Sequence, residues 1–216
     1  MSEANPLDRI ELHNRDCMEA MKEMPDKAFD LAIVDPPYGA GKIENCMIQQ
    51  VRKPYKNEKP SKEYFESLIR VSKNQIIWGG NYFDLGPCRG FIFWFKHQPI
   101  DRFADGEFAW TSFDRVAKCF NYPYTNVMEG NGGKDYKTIH PNQKPVKLYE
   151  WLLKNYAKPG DKILDTHVGS GSIAIACYNL GYSLTGYEID KDYYEAEIKR
   201  LEEHKRQGRL FDAVGV

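Results

Sequence analysis

Phe29-Asp30-Leu31-Ala32-Ile33-Val34 runs directly into Asp35-Pro36-Pro37-Tyr38, with Gly39 and Gly41 following. The first six residues read as a buried strand. Two consecutive prolines remove two backbone donors and fix two φ angles, so the carbonyls of Asp35 and Pro36 are left free beside a carboxylate and a phenol. The stretch is thus a strand that ends in a rigid, exposed acidic loop. A plain Pro-Pro turn capped by Asp35 and Tyr38 is the blander reading of the same residues.

Upstream of that junction, Ile10-Glu11-Leu12-His13 alternates like a half-exposed strand, and Asp16 stands three residues before Glu19, a capping-box pattern that opens a short helix to Met24. Downstream, residues 42–60 are polar and basic and lack periodicity, which predicts a loop mobile in the absence of a ligand. Lys42, Arg52, Lys53, Lys56, Lys59 and Lys62 outnumber Glu44 and Glu58 there. Such a run is either a solvated face or a phosphate-contacting one. Ser61 caps a helix with Phe65, Leu68 and Ile69 on its apolar face, and Gln75-Ile76-Ile77-Trp78 is the next strand, broken by Gly79-Gly80.

Residues 90–96, 107–113 and 116–122 are aromatic-rich strands without long helices between them, which predicts an antiparallel edge on an otherwise parallel sheet. A loop over 123–142 leads to a helix with Pro145 in its first turn. Lys162-Ile163-Leu164-Asp165 is a strand, Gly169-Ser170-Gly171-Ser172 a glycine turn, and an apolar helix follows to Leu180. Residues 184–188 form another strand, and Asp190 caps a mixed-charge helix running toward Gly208. Strands alternating with helices give a doubly wound, Rossmann-like α/β sheet in a single domain over 1–216.

Composition is that of an ordinary globular chain: 216 residues, 42% hydrophobic, 28% charged and a formal net charge of −1. No apolar run reaches membrane-spanning length, and the first eight residues lack a leader pattern, so a cytoplasmic location without a membrane partner is expected. The five cysteines, Cys17, Cys46, Cys88, Cys119 and Cys177, are scattered and form no Cys-x-x-Cys pair, which argues against a metal site or a disulfide framework.

The glycine turn lies between a strand and a helix, with Glu188 ending the next strand, as in a nucleotide-type cofactor site. Its Gly-x-Gly-x-x-Ala spacing also suits a dinucleotide, so a nicotinamide oxidoreductase is an alternative. Asp165 speaks against that alternative, because a carboxylate there repels a pyrophosphate and welcomes a cationic sulfonium amino acid. A single βαβ unit after the glycines is also too little for a second nucleotide half. S-adenosylmethionine is the cofactor these features favour.

Four motifs then carry a family resemblance: Asn14-Arg15-Asp16-Cys17, Asp35-Pro36-Pro37-Tyr38, His140-Pro141-Asn142-Gln143-Lys144-Pro145, and Asp165 to Ser172 with Glu188. In this order they resemble the permuted β class of DNA amino-methyltransferases, which methylate exocyclic amines of adenine or cytosine. The resemblance implies that the catalytic half comes first and the cofactor half last. It implies that Asp35, Pro36, Pro37 and Tyr38 are catalytic, the Asp35 carboxylate and Pro36 carbonyl accepting from the substrate amine while Tyr38 stacks on a flipped base.

By the same resemblance, Asp16 and Cys17 contact the cofactor's adenine, Glu188 its ribose and Ile189 its adenine face. Asp35, Asp165, Thr166, His167, Gly169, Ser170, Gly171 and Ser172 shape its methionine pocket, which Lys144 and Pro145 close. Thr166 and His167 stand where the family more often has Pro and Phe, and His167 reads as satisfying the turn or hydrogen-bonding the cofactor. Target recognition falls to a short loop over 123–138 and to the basic segment, with Lys42, Arg52, Lys53 and Lys56 on DNA phosphates. The implied reaction is methyl transfer to adenine N6 in duplex DNA. Cytosine N4, a non-catalytic nucleic-acid-binding module and the nicotinamide enzyme are the alternatives, and a homodimer is plausible from the family.

Overall fold

A computed structural model of the chain describes residues 9–39, 58–97, 104–124, 139–140 and 142–214, with side chains described as far as Gln207. Eight strands form one sheet: β1 (Ile10–His13), β2 (Phe29–Val34), β3 (Ser72–Trp78), β4 (Ile92–Phe95), β5 (Gly106–Thr111), β6 (Lys118–Asn121), β7 (Lys162–Asp165) and β8 (Ser183–Tyr187). Their spatial order is β1-β8-β7-β2-β3-β5-β4-β6. All pairings are parallel except those of β5, which runs antiparallel to both β3 and β4. The sheet is therefore mostly parallel with an antiparallel part, as the sequence predicts. The reversed strand is interior rather than at the edge, because the chain folds back from β4 and inserts β5 between β3 and β4, leaving β6 as the outermost strand.

Among the described residues five α-helices cover the sheet: α1 (Cys17–Glu23), α2 (Lys62–Val71), α3 (Val146–Tyr156), α4 (Ser172–Leu180) and α5 (Lys191–Val214). The Asp16 carboxylate caps α1 by accepting from the Met18 amide at 2.7 Å, which satisfies one of the helix's orphan donors. Pro145 is the N-cap of α3, one position before the first turn where the sequence suggested it. The cap Gly171 and the closing Gly181 of α4 both have left-handed backbone, at φ 73° and 74°. Helix α5 continues through Gly208 to Val214.

Alternation along the central strands sorts the core into two layers. Leu31, Ile33, Ile76, Trp78, Ile92 and Ile163 face α3 and α4, joined by Leu201 of α5. Ala32, Val34, Ile77 and Leu164 face α1 and α2. With both faces covered, the central strands are mostly apolar, with Gln75 of β3 a buried exception.

β2 and β7 are neighbours, yet the chain leaves them in opposite directions, from β2 toward β3 and from β7 toward β8. Such a divergence opens a crevice at the carboxyl ends of the two strands, where ligands of open α/β sheets bind. Asp35 and Asp165 stand at the two lips.

Among the described residues no helix is long and apolar enough to cross a membrane.

Candidate active site

Asp35 is fixed from two sides. The Tyr38 hydroxyl donates to its Oδ1 at 2.6 Å, and the Lys144 ammonium donates to its Oδ2. Lys144 comes from the turn before α3, is buried, and also reaches Glu107 Oε2 at 3.0 Å and the Tyr38 hydroxyl oxygen at 3.4 Å. Lys96, just past β4, pairs in turn with the other oxygen of Glu107. The result is an alternating row of carboxylate and ammonium, from Asp35 through Lys144 and Glu107 to Lys96, entered by Tyr38 at one end. Each ammonium also lies over an indole, Lys144 5.3 Å from the Trp78 ring and Lys96 4.9 Å from that of Trp94.

Burial pushes the Asp35 carboxyl upward, and the Lys144 ammonium and Tyr38 hydroxyl pull it back. Burial disfavours the Lys144 charge, but Asp35 and Glu107 outweigh it and hold the ammonium protonated. Burial and the Asp35 charge keep the Tyr38 phenol protonated, as a donor. Asp35 thus has one lone-pair site occupied at each oxygen and others left over for an incoming donor. Tyr38 is stacked on Tyr82 with centroids 5.1 Å apart, and Tyr82 is exposed.

Across the crevice, the glycine turn is braced from beneath. Arg200 of α5 donates to the Ser170 carbonyl at 2.6 Å and to the Ser172 hydroxyl at 2.9 Å. The side chains of Ser170 and Ser172 are buried, and the Ser170 hydroxyl pairs with that of Ser172 at 3.1 Å, so what they offer a ligand is backbone. A β-carbon at Gly171 would come 3.1 Å from Glu197 Cβ, and one at Gly169 3.6 Å from the His140 ring. Both glycines have positive φ, 59° at Gly169 and 73° at Gly171, which side-chain-bearing residues adopt only at a cost.

Asp165 Oδ1 accepts from the His167 amide at 2.9 Å, while its buried Oδ2 has no hydrogen-bond partner among the described residues. Burial raises this carboxyl to about 8. Thr166 and His167 are engaged locally: the Thr166 hydroxyl pairs with Tyr64 of α2 at 2.7 Å and with His167 Nδ1 at 2.9 Å. Burial lowers His167 to about 4, so it stays neutral.

Glu188 spreads its carboxylate over two amides, Gly169 at 3.1 Å and Asp190 at 2.8 Å, which ties the end of β8 to the glycine turn. The Asn14 side chain donates to the carbonyls of Glu188 and Ile189 at 2.8 and 3.2 Å. Ile189 is 69% exposed at the end of β8, an apolar surface that no described residue covers. Burial raises the Cys17 thiol to about 12, which makes it inert as a nucleophile. The basic residues Lys42, Arg52, Lys53 and Lys56, most of the 42–60 segment, residues 125–138 of the recognition loop and Pro141 lie outside the described residues. No group of three or more His, Cys, Asp or Glu side chains that could hold a metal occurs among the described residues.

Glu107 and Lys96 are the site residues that the sequence reading missed. The signal was an acid at the head of an otherwise apolar strand, but its position at the crevice depends on β5 being reversed. A reversed strand brings its start, not its end, to the edge where the parallel strands finish.

A DNA methylase family model, of the N6/N4 type, matches residues 49–200. The chain belongs to this DNA methylase family. The methylase is 27% identical over 227 residues to Type II methyltransferase M.HpaI of Haemophilus parainfluenzae, covering 86% of this chain and 72% of that protein. It is 26% identical over 239 residues to Type II methyltransferase M2.DpnII of Streptococcus pneumoniae, covering 88% and 89%. In fold it is similar to the crystal structure of the M1.HpyAVI–SAM complex, with a TM-score of 0.59 at 22% identity over 89% of this chain and all of that one. The expected family and α/β class are borne out, and the nicotinamide alternative falls with them.

The methylase's glycine turn fits S-adenosylmethionine on its own chemistry. It offers two bare glycines, a buried Asp165 carboxyl oxygen without a hydrogen-bond partner among the described residues, and at the end of β8 the Glu188 carboxylate, which has lone pairs to spare.

Proposed function

We propose that this chain transfers a methyl group from S-adenosylmethionine to the exocyclic N6 amine of an adenine flipped out of duplex DNA. The observation that carries the reading is the Asp35 carboxyl group, paired with the Lys144 ammonium and oriented by Tyr38, across the crevice from the glycine turn and from an Asp165 oxygen that has no hydrogen-bond partner among the described residues. Asp165, Gly169, Gly171, Glu188 and Ile189 would hold the cofactor, with Asp16 and Cys17 at its adenine. Bound there, S-adenosylmethionine supplies a methyl carbon on a positive sulfur that departs as a neutral thioether.

What the chain does is prepare the other reactant. An adenine amine is a poor nucleophile because its lone pair is delocalised into the ring. Accepting its two hydrogens, at Asp35 and at the Pro36 carbonyl, draws the nitrogen toward a pyramidal form and localises the pair. Tyr38, backed by Tyr82, offers an aromatic face for the flipped base. As the nitrogen gains a bond to carbon it becomes positive, and the adjacent Asp35 anion stabilises that charge before the proton leaves to solvent. The buried carboxylate acts chiefly as an acceptor and counter-charge, so no strong base is needed.

Adenine is preferred over cytosine because an aspartate at position 35 leans that way within the family. The same reading makes DNA the macromolecular partner, with a cytoplasmic setting, contacts from Lys42, Arg52, Lys53 and Lys56 to phosphates, recognition through the loop over 123–138, and a homodimer as the family's plausible assembly.

The test is incubation with isotopically labelled S-adenosylmethionine and unmodified mixed-sequence duplex DNA, then mass spectrometry of the nucleosides. Labelled N6-methyldeoxyadenosine is expected, and its loss in Asp35→Ala. Labelled N4-methyldeoxycytidine would move the target base, and absence of any labelled nucleoside despite cofactor binding would overturn the reading.

A further inference from the structure

Lys144 is the only described side chain whose ammonium bridges two carboxylates, and one of these, Glu107, belongs to a strand outside every sequence motif. Glu107 is part-buried and held at both oxygens, by Lys144 and by Lys96. Lys96 is positioned in turn by its backbone, whose amide donates to the Asp105 carbonyl at 2.8 Å across the β4–β5 hairpin. Its ammonium lies 4.9 Å from the Trp94 ring and 5.4 Å from that of Tyr124. Two carboxylates and two ammoniums sum to zero, so the row is neutral as a unit but polarised along its length.

We propose that Glu107 and Lys96 are positioning residues that set how firmly Lys144 holds Asp35, and through it how well Asp35 accepts the substrate's amine. The proposal rests on the methyl-transfer reading for its consequence, while the coupling it describes belongs to the folded chain alone.

The physics is a tug between charges. The Lys144 charge faces both Asp35 and Glu107. Remove the Glu107 charge and the ammonium leans wholly on Asp35, which stays ionised to lower pH but becomes a poorer acceptor for a neutral amine. Remove the Lys96 charge and Glu107, left with a single cation, draws Lys144 away from Asp35, whose carboxyl then protonates more readily in its buried setting. Either change slows an acceptor-dependent step, but the ionisation of Asp35 moves in opposite directions. A structural defect has no reason to produce opposite signs.

Other groups face Asp35 and stay constant between the variants: Tyr38 on its own loop, Asp165 at the end of β7, Tyr64 on α2 and Tyr149 on α3. Burial raises Asp35 and the Glu107 charge raises it further, whereas Lys144 lowers it. The Glu107 carboxyl is held low by its two lysines against the effect of burial.

The experiment compares the wild-type chain with Glu107→Gln and Lys96→Met. Protein labelled with carbon-13 at the aspartate carboxyl is titrated by NMR, the Asp35 signal being assigned by its loss in Asp35→Asn. Steady-state methylation of duplex DNA is then measured against pH, with thermal melting to report folding. The expected result is an Asp35 midpoint displaced downward in Glu107→Gln and upward in Lys96→Met, each by at least about half a pH unit. The acidic limb of kcat should follow in the same two directions, with kcat at its plateau reduced about tenfold in both. Midpoints that stay put, or move the same way in both variants, overturn the proposal even if activity falls. If one variant fails to fold, the direction in the other decides. A wild type that methylates nothing while its variants still displace the Asp35 midpoint oppositely supports the coupling and overturns the methyl-transfer reading instead.

Discussion

Gly79 lies directly against the Tyr38 ring, so closely that a β-carbon on it would overlap the phenol, and it stands in a left-handed backbone at φ 68°. The end of β3 therefore sets where the aromatic ring after β2 can sit. Gly79→Ala should combine backbone strain of about 1–2 kcal/mol with a displaced Tyr38. Steady-state kinetics should show kcat/KM for DNA down at least about tenfold, with cofactor affinity by calorimetry nearly unchanged. A variant with weakened cofactor binding and normal DNA kinetics would contradict this.

Tyr38→Phe separates the two things Tyr38 does. The ring against Tyr82 is kept, while the donor to Asp35 Oδ1 is lost. Hydrogen bonds to charged groups contribute about 1.5–3 kcal/mol, so the single-turnover methylation rate should fall about tenfold or more. DNA affinity measured without turnover should stay close to wild type. Tyr38→Ala should damage both.

With Asp165 placed against the cofactor's cation in the proposed reading, cofactor binding should depend on pH. Its carboxyl is raised to about 8, so in the free protein it is largely protonated at neutral pH. A cationic ligand favours the anion, hence affinity should rise as pH climbs toward about 8 and binding should release a proton. Glu188 and Glu197 face the same region, with Glu197 raised to about 9 by burial. Calorimetry in buffers of different ionisation enthalpy counts the protons. The difference between wild type and Asp165→Asn isolates this group from the titration of the ligand itself, and identical profiles for the two would refute the assignment.

Acid should destabilise the fold through two histidines. His140 and His167 are buried and lowered to about 4, from an ordinary value of 6.5. The unfolded chain takes up these protons below about 6.5 and the folded chain only below about 4. Their contribution is therefore complete above 6.5 and is lost as pH falls through that window, at up to about 1.4 kcal/mol per pH unit for each residue. Thermal melting between pH 7 and 4 should show the decline. His140→Gln, which can still meet the Asn142 amide that His140 Nδ1 accepts at 3.2 Å, should flatten part of it.

The sequence by itself determined the local features of this protein: the buried strand into Asp35-Pro36-Pro37-Tyr38, the cap at Asp16, the glycine turn around Ser170, and the order of motifs that marks the family. Each is encoded within a few residues, where φ preferences, missing donors and side-chain periodicity act directly. Only the tertiary structure decided that β5 runs backward inside the sheet. With that reversal it brought Glu107 to Lys144, 37 positions later in the chain, and at the other end of the crevice the fold fastened the Ser170 carbonyl and the Ser172 hydroxyl to Arg200. Strand direction and helix placement depend on how distant apolar faces are best buried together. No local stretch carries that information, so the charges surrounding Asp35 become visible only once the sheet is assembled.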